Sequence, residues 1–236
     1  MQRFLKLNLR LLIGFIIYGF ATVFMLNANM GLGPWDVFHQ GLSFQTGITI
    51  GTASIIIGII IVILDAILGE RIGWGTLTNM VLIGVFIDII NYLDFVPKAT
   101  GYIDGMILLF IGIVLTATAT VVYLGAGLGS GPRDGLMIAI HKRCNKSVKF
   151  IRTSIEIGAL IVGYFLGGSF GIGTVISSIL VGYMIQKGFE LANIDLKSIE
   201  HESLSKTFAL LKEDMKYSGD MGEVHCVKED LSNTKD

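Results

Sequence analysis

Charge is scarce in this chain. Only 16% of its residues are Asp, Glu, Lys or Arg, against about 25% in a soluble average, and the mean hydropathy is +0.69. An ordinary soluble globule is thereby excluded. Proline is almost absent, at three residues against thirty glycines, a balance that suits close helix packing and glycine turns and not collagen or a flexible linker. The two cysteines, Cys144 and Cys226, lie in the most charged stretches, which are expected in the cytoplasm, so no structural disulfide is expected. His39 and His141 have no His, Cys or acid at ligand spacing, and the His225-Cys226 dipeptide stands alone. Metal, cofactor and nucleophile chemistry therefore have no anchor, and no enzyme is expected. The bases between 142 and 152 read as a positive flank against anionic lipid, not as a nucleic-acid site.

What the chain has is glycine, thirty residues of it, and a repeat. Ala28, Gly31, Gly33, Pro34 and Asp36 recur 98 residues later as Ala126, Gly129, Gly131, Pro132 and Asp134. Upstream, Ile13, Gly14, Ala21, Thr22, Val23 and Leu26 recur as Ile111, Gly112, Ala119, Thr120, Val121 and Leu124. Downstream, Gly73, Gly75, Thr76, Gly84 and Ile87 recur as Gly171, Gly173, Thr174, Gly182 and Ile185. Between these blocks Ser54, Ile55, Ile57 and Gly58 match Ser154, Ile155, Ile157 and Gly158 at an offset of 100, which implies two residues gained and then lost. Duplicated halves in a membrane protein commonly enclose a site.

Apolar runs able to cross roughly 30 Å of hydrocarbon lie at 9–28, 50–68, 76–93, 103–124, 153–168 and 174–192. The expected fold is an all-α membrane protein of six spans, with a membrane domain over 1–192 (repeat one 9–93, repeat two 103–192). With the N-terminus inside, the inner segments hold Arg3, Lys6, Arg10, Arg71, Arg133, Lys142, Arg143, Lys146, Lys149, Arg152 and Lys187, and the outer ones Lys98 alone. That bias sets both termini in the cytoplasm. The first span has no small-residue cleavage site after it and is read as a retained helix. Three spans per half is an odd number, so the repeats are expected to be inverted about an axis in the membrane plane.

Gly33-Pro34-Trp35-Asp36 and Gly131-Pro132-Arg133-Asp134 each read as a helix start, with Pro at the first helical position and Asp at the third, near unpaired amides and the positive dipole end. Each should open a short helix, over Pro34 to Thr46 and Pro132 to Asn145. In one reading the two helices bring their starts to a shared central site, with Asp36 and Asp134 as polar walls. In the other, both aspartates only cap helices lying flat on either leaflet. The copies differ at Trp35 and Arg133, which suits an aromatic anchor outside and an anion- or headgroup-pairing cation inside. The candidate substrate-binding residues are Gly33, Trp35, Asp36, Gly131, Arg133 and Asp134.

Asp65, Asp88 and Glu156 are further suspects because they lie in or near spans. Thr116, Thr118 and Thr120 are read as bonding to the carbonyls four residues back. Gly73/Gly75 and Gly171/Gly173 read as tight turns, since no P-loop lysine follows. Residues 193–236 carry ten acids and six bases and form an acidic tail, with Leu204, Phe208, Leu211 and Met215 at the spacing of one amphipathic helix.

The duplicated glycine-rich turns in a six-span chain resemble the bacterial YczE/YyaS/YitT-type membrane proteins, nearest the YczE-like branch, over about residues 5–190. That resemblance implies a plasma-membrane location and the fold class; it implies no substrate and no catalytic residue. Three functions remain open: a small-solute transporter or permease with its site between the halves, a solute channel, and a non-transporting scaffold or sensor acting through the tail. Partners expected are the lipid bilayer, a small solute, and a second copy or a cytoplasmic partner at the tail. In intact cells, single cysteines at Gln45 and Ser169 should react with an impermeant thiol reagent, and labelling at Ser203 would overturn the orientation.

Overall fold

The computed structural model describes residues 2–193 apart from 71, 130 and 145. The expected acidic tail and its amphipathic helix lie outside the described residues. Eight helices and no strands are present among those described: α1 (Gln2–Asn27), α2 (Pro34–Thr46), α3 (Ile50–Ile67), α4 (Trp74–Leu93), α5 (Tyr102–Leu124), α6 (Pro132–Cys144), α7 (Val148–Phe165) and α8 (Ile172–Leu191). Five of them, α1, α3, α4, α5 and α8, are long and apolar enough to cross a membrane. The remaining expected span, α7, has 18 residues but carries Lys149, Arg152 and Glu156 in its first half. The outward faces are apolar, with Ile63, Ile67, Phe110, Phe165 and Ile179 all exposed. Such a surface is stable only against lipid.

Helix boundaries correct the register read between the repeats. α2 and α6, α3 and α7, and α4 and α8 each begin and end 98 residues apart, and the caps Thr49 and Ser147 keep the same spacing. No two residues are gained or lost. The match at 100 arose because α3 and α7 are both rich in isoleucine, so a two-residue slip still aligns apolar letters. In the true register, Lys149, Arg152 and Glu156 stand where the first copy has Gly51, Ser54 and Gly58.

The central helices α1 and α5 pack along their length, and their contacts are reciprocal. A Cβ on Gly14 would lie 2.8 Å from the Cβ of Tyr123, and one on Gly112 would lie 2.5 Å from Cγ of Met25; both pairs are related by the 98-residue shift. The loops before the short helices follow the same rule. The amide of Gly173 donates to the carbonyl of Met30 at 2.7 Å, and that of Gly75 donates to Leu128 at 2.8 Å. Each half thus satisfies backbone groups that the other half's broken segment frees, which hydrocarbon could not do.

Gly73 and Gly171 are not tight turns, as the sequence had suggested. Both are extended N-caps, of α4 and α8. The turn is instead at Gly31, whose φ is +99° and whose missing Cβ leaves room for the Gly171 amide 2.5 Å away. The halves differ in one respect. α3 packs against α4, whereas α7 and α8 scarcely touch.

Gly31→Ala should lower thermal stability in detergent by about 1–3 kcal/mol, since the backbone is left-handed and the space is filled. Gly47→Ala is the control: its φ is +74° with nothing near, so its cost should stay near 1 kcal/mol. Equal melting temperatures for the two variants would contradict the clamp between the halves.

Candidate functional site

Gly33 is the extended cap of α2, Pro34 opens the helix and Asp36 falls in its first turn. α6 repeats this with Pro132 and Asp134. The fold brings the two starts together. The guanidinium carbon of Arg133 sits 4.7 Å from the ring centroid of Trp35, so residues at equivalent positions of the two copies stack on each other. This corrects the expectation of an outer aromatic anchor and an inner headgroup-pairing cation. A planar, weakly hydrated guanidinium and an indole cover each other's faces when both leave water, and separate interfaces would forfeit that contact. It also disfavours helices lying flat on opposite leaflets, because starts in contact cannot occupy separate interfaces.

Gly33, Trp35, Asp36, Gly131, Arg133 and Asp134 all line one cavity of about 430 Å³. That volume suits a small organic molecule. Most of the lining recurs at the repeat spacing: Tyr18 with Thr116, Met25 with Tyr123, His39 with Met137, Asn79 with Ser177, Ile87 with Ile185. The cavity therefore lies between equivalent walls contributed by both copies.

Several residues at this site carry no motif in the sequence. His39, which has no His or Cys at ligand spacing, is 2% exposed and its Nδ1 lies 3.5 Å from Oδ1 of Asp36. The signal was present, since positions three apart share a helix face. Asn79 is 9% exposed, and its Nδ2 has no hydrogen-bond partner. A lone Asn in an apolar span carries no pattern, and only the fold shows that its amide lies beside Gly131 at the start of α6. A buried amide without an acceptor is costly, and solvent or solute in the cavity can supply one.

The suspect acids part company. Glu156 lines the cavity and pairs with Arg152 at 3.1 Å. Asp88 is outside it and accepts from the Thr49 hydroxyl at 2.5 Å and the Gly51 amide at 2.9 Å. Asp65 is 3% exposed, its Oδ1 has no partner, and it abuts Gly135 of α6. In the other copy its place is held by Gly163, against which α2 packs backbone to backbone. Thr116, Thr118 and Thr120 donate to the carbonyls four residues back at 2.8, 2.9 and 2.8 Å, as their spacing suggested, although Thr116 and Thr120 also reach the cavity wall. Lys142 meets Glu70 at 2.7 Å, so at least this base of the positive flank is tied to protein. Among the described residues no group of three or more His, Cys, Asp or Glu could hold a metal ion.

The chain matches, over residues 5–188, the model of a family described as a family of unknown function (DUF6198). It is 37% identical over 177 residues to "Uncharacterized membrane protein YczE" of Bacillus subtilis, covering 73% of this chain and 80% of that protein. An "Uncharacterized protein" of Haemophilus influenzae is 36% identical over 176 residues, covering 75% and 80%. "Uncharacterized protein YyaS" of Bacillus subtilis is 29% identical over 200 residues, covering 82% and 94%. No solved structure shows significant similarity. With several helices able to cross a bilayer and a family match along most of its length, the chain belongs to this YczE-like family of membrane proteins.

Proposed function

We propose that the protein is a small-solute transporter of the plasma membrane whose substrate site is the cavity at the starts of α2 and α6. The observation that carries this reading is the stack of Arg133 on Trp35, because it joins the two broken segments over a cavity that both copies line. Discontinuous helices meeting between repeats are the usual way in which transporters build a central site. The reciprocal contacts, Gly14 to Tyr123 with Gly112 to Met25 and Gly173 to Met30 with Gly75 to Leu128, support two inverted repeats of three spans. α7 serves as the sixth span, with Lys149 and Arg152 snorkelling toward the headgroups. In this arrangement both termini are cytoplasmic, as the lysine and arginine bias requires.

The side chains divide the work. Arg133, held flat by Trp35, presents donors to an anionic or carbonyl group of the solute, and Asn79 adds one more. Asp36 and Asp134, in the first turns of the same two helices, line the cavity with carboxylates. A solute with donors and acceptors of its own fits such a site better than an apolar one, because these groups are unmatched by apolar surface.

Uptake into sealed vesicles of a panel of amino acids, small amines and small carboxylates tests the reading. At least one should accumulate saturably. Asp36→Asn, Asp134→Asn and Arg133→Gln should each reduce its uptake at least about tenfold, the loss of roughly 1.4 kcal/mol of binding, while the proteins stay monodisperse. Deleting the chain from Ser198 should leave uptake intact. Uptake no different from empty vesicles across the panel would defeat the proposal.

A further inference from the structure

The cavity has two possible doors, and the two are not in the same state. Its walls include the inner faces of α3 and α4 from the first copy and of α7 and α8 from the second. The first pair is shut. A Cβ on Gly51 would collide with the carbonyl oxygen of Gly84, and one on Gly58 would lie 2.5 Å from Cγ of Met80. Across that seam Asp88 of α4 clasps the start of α3, accepting from the Thr49 hydroxyl at 2.5 Å, the Gly51 amide at 2.9 Å and the Thr52 hydroxyl at 3.5 Å.

The second pair stands apart, with α7 and α8 scarcely in contact, and a Cβ on Gly182, the counterpart of Gly84, would have nothing within 4 Å. The clasp is unmade there. Ser147 caps α7 alone, and Gln186, at the position of Asp88, donates instead to Glu190 at 3.2 Å.

We infer that the protein is a carrier that opens its cavity to one side at a time, with the α3–α4 seam as the closed gate, the Asp88 clasp as its latch, and the α7–α8 seam as the open gate. The inference rests on the transporter reading and narrows it to a carrier rather than a channel. Two copies of one fold that sit in different states around a shared cavity can exchange those states, and each exchange presents the cavity to the other side. On that exchange the α3–α4 clasp breaks, and Gln186 turns to the Ser147 cap as α8 closes on α7. The second seam closes less tightly than the first, because Lys149 stands where Gly51 lets the backbones meet. The latch is a carboxylate that receives two close donors, the Thr49 hydroxyl and the Gly51 amide, which makes it firm when made and local when broken.

Two cysteine reporters on the cavity wall test this in a Cys144→Ser, Cys226→Ser background: Ser54→Cys on α3 and Ser178→Cys on α8. An impermeant thiol reagent is applied to either face of the membrane. In the parent, Ser178→Cys should react from the face where α7 begins, and Ser54→Cys should be silent from the face where α3 begins. Adding Asp88→Ala should speed the reaction of Ser54→Cys from the α3 face at least about tenfold and slow that of Ser178→Cys from the α7 face. A gain on both faces would show a channel and overturn the inference. No change on either face would show that Asp88 is a helix cap only, and would overturn it too. Should Asp88→Ala fail to fold, the pair Thr49→Cys and Asp88→Cys, oxidised to a disulfide, must leave the Ser178→Cys reaction from the α7 face intact and lift it no further on reduction than the parent's own rate; loss of that reaction in the locked protein would equally overturn the assignment. None of these readouts needs a transported solute, so they stand or fall separately from the uptake panel.

Discussion

Everything in this structure hangs on backbone groups that a bilayer cannot satisfy. Breaking a helix at Asn27, and again at Leu124, frees carbonyls and amides that hydrocarbon could not pair. The molecule solves this by exchange: the start of α8 bonds the loop before α2, and the start of α4 bonds the loop before α6. The donor in each case is a glycine amide close against another backbone: a Cβ on Gly173 would lie 2.7 Å from the Met30 carbonyl oxygen, and one on Gly75 3.0 Å from that of Leu128. The broken segments are then fixed, and α2 and α6 can begin inside the bundle.

Once the two starts are inside, their charges need company. Trp35 and Arg133 supply it for each other, His39 approaches Asp36, and Arg152 pairs with Glu156. Asn79, whose amide nitrogen has no partner, lines the cavity beside them. A fold that sought only stability would replace such groups with apolar ones, since buried polar groups without full partners are a cost. Their presence here is the physical reason for placing a solute among them.

The sequence made some of this legible and concealed the rest for identifiable reasons. The Gly-Pro-x-Asp starts of α2 and α6 were readable because proline and aspartate have fixed positional meanings at a helix N-terminus. The six residues singled out at these two starts all line the cavity. Register was not readable: isoleucine and glycine recur so often in α3 and α7 that a two-residue slip looked like homology. Asn79 and Tyr18 carry no motif, and their roles come from helices distant in sequence folding over the same space. The open seam between α7 and α8 was equally hidden, although Lys149, Arg152 and Glu156 mark it once the helix ends fix the spacing at 98.

The central claim is that the starts of two helices from opposite halves meet at one cavity. A short bifunctional thiol crosslinker applied to Trp35→Cys with Arg133→Cys, in the Cys144→Ser, Cys226→Ser background, addresses it directly. The account requires an intramolecular crosslink between residues 98 positions apart, read by mass spectrometry of the bridged peptides. Recovery of both cysteines singly modified, each from its own face of the membrane and never bridged, would place the two helix starts at separate interfaces and contradict it.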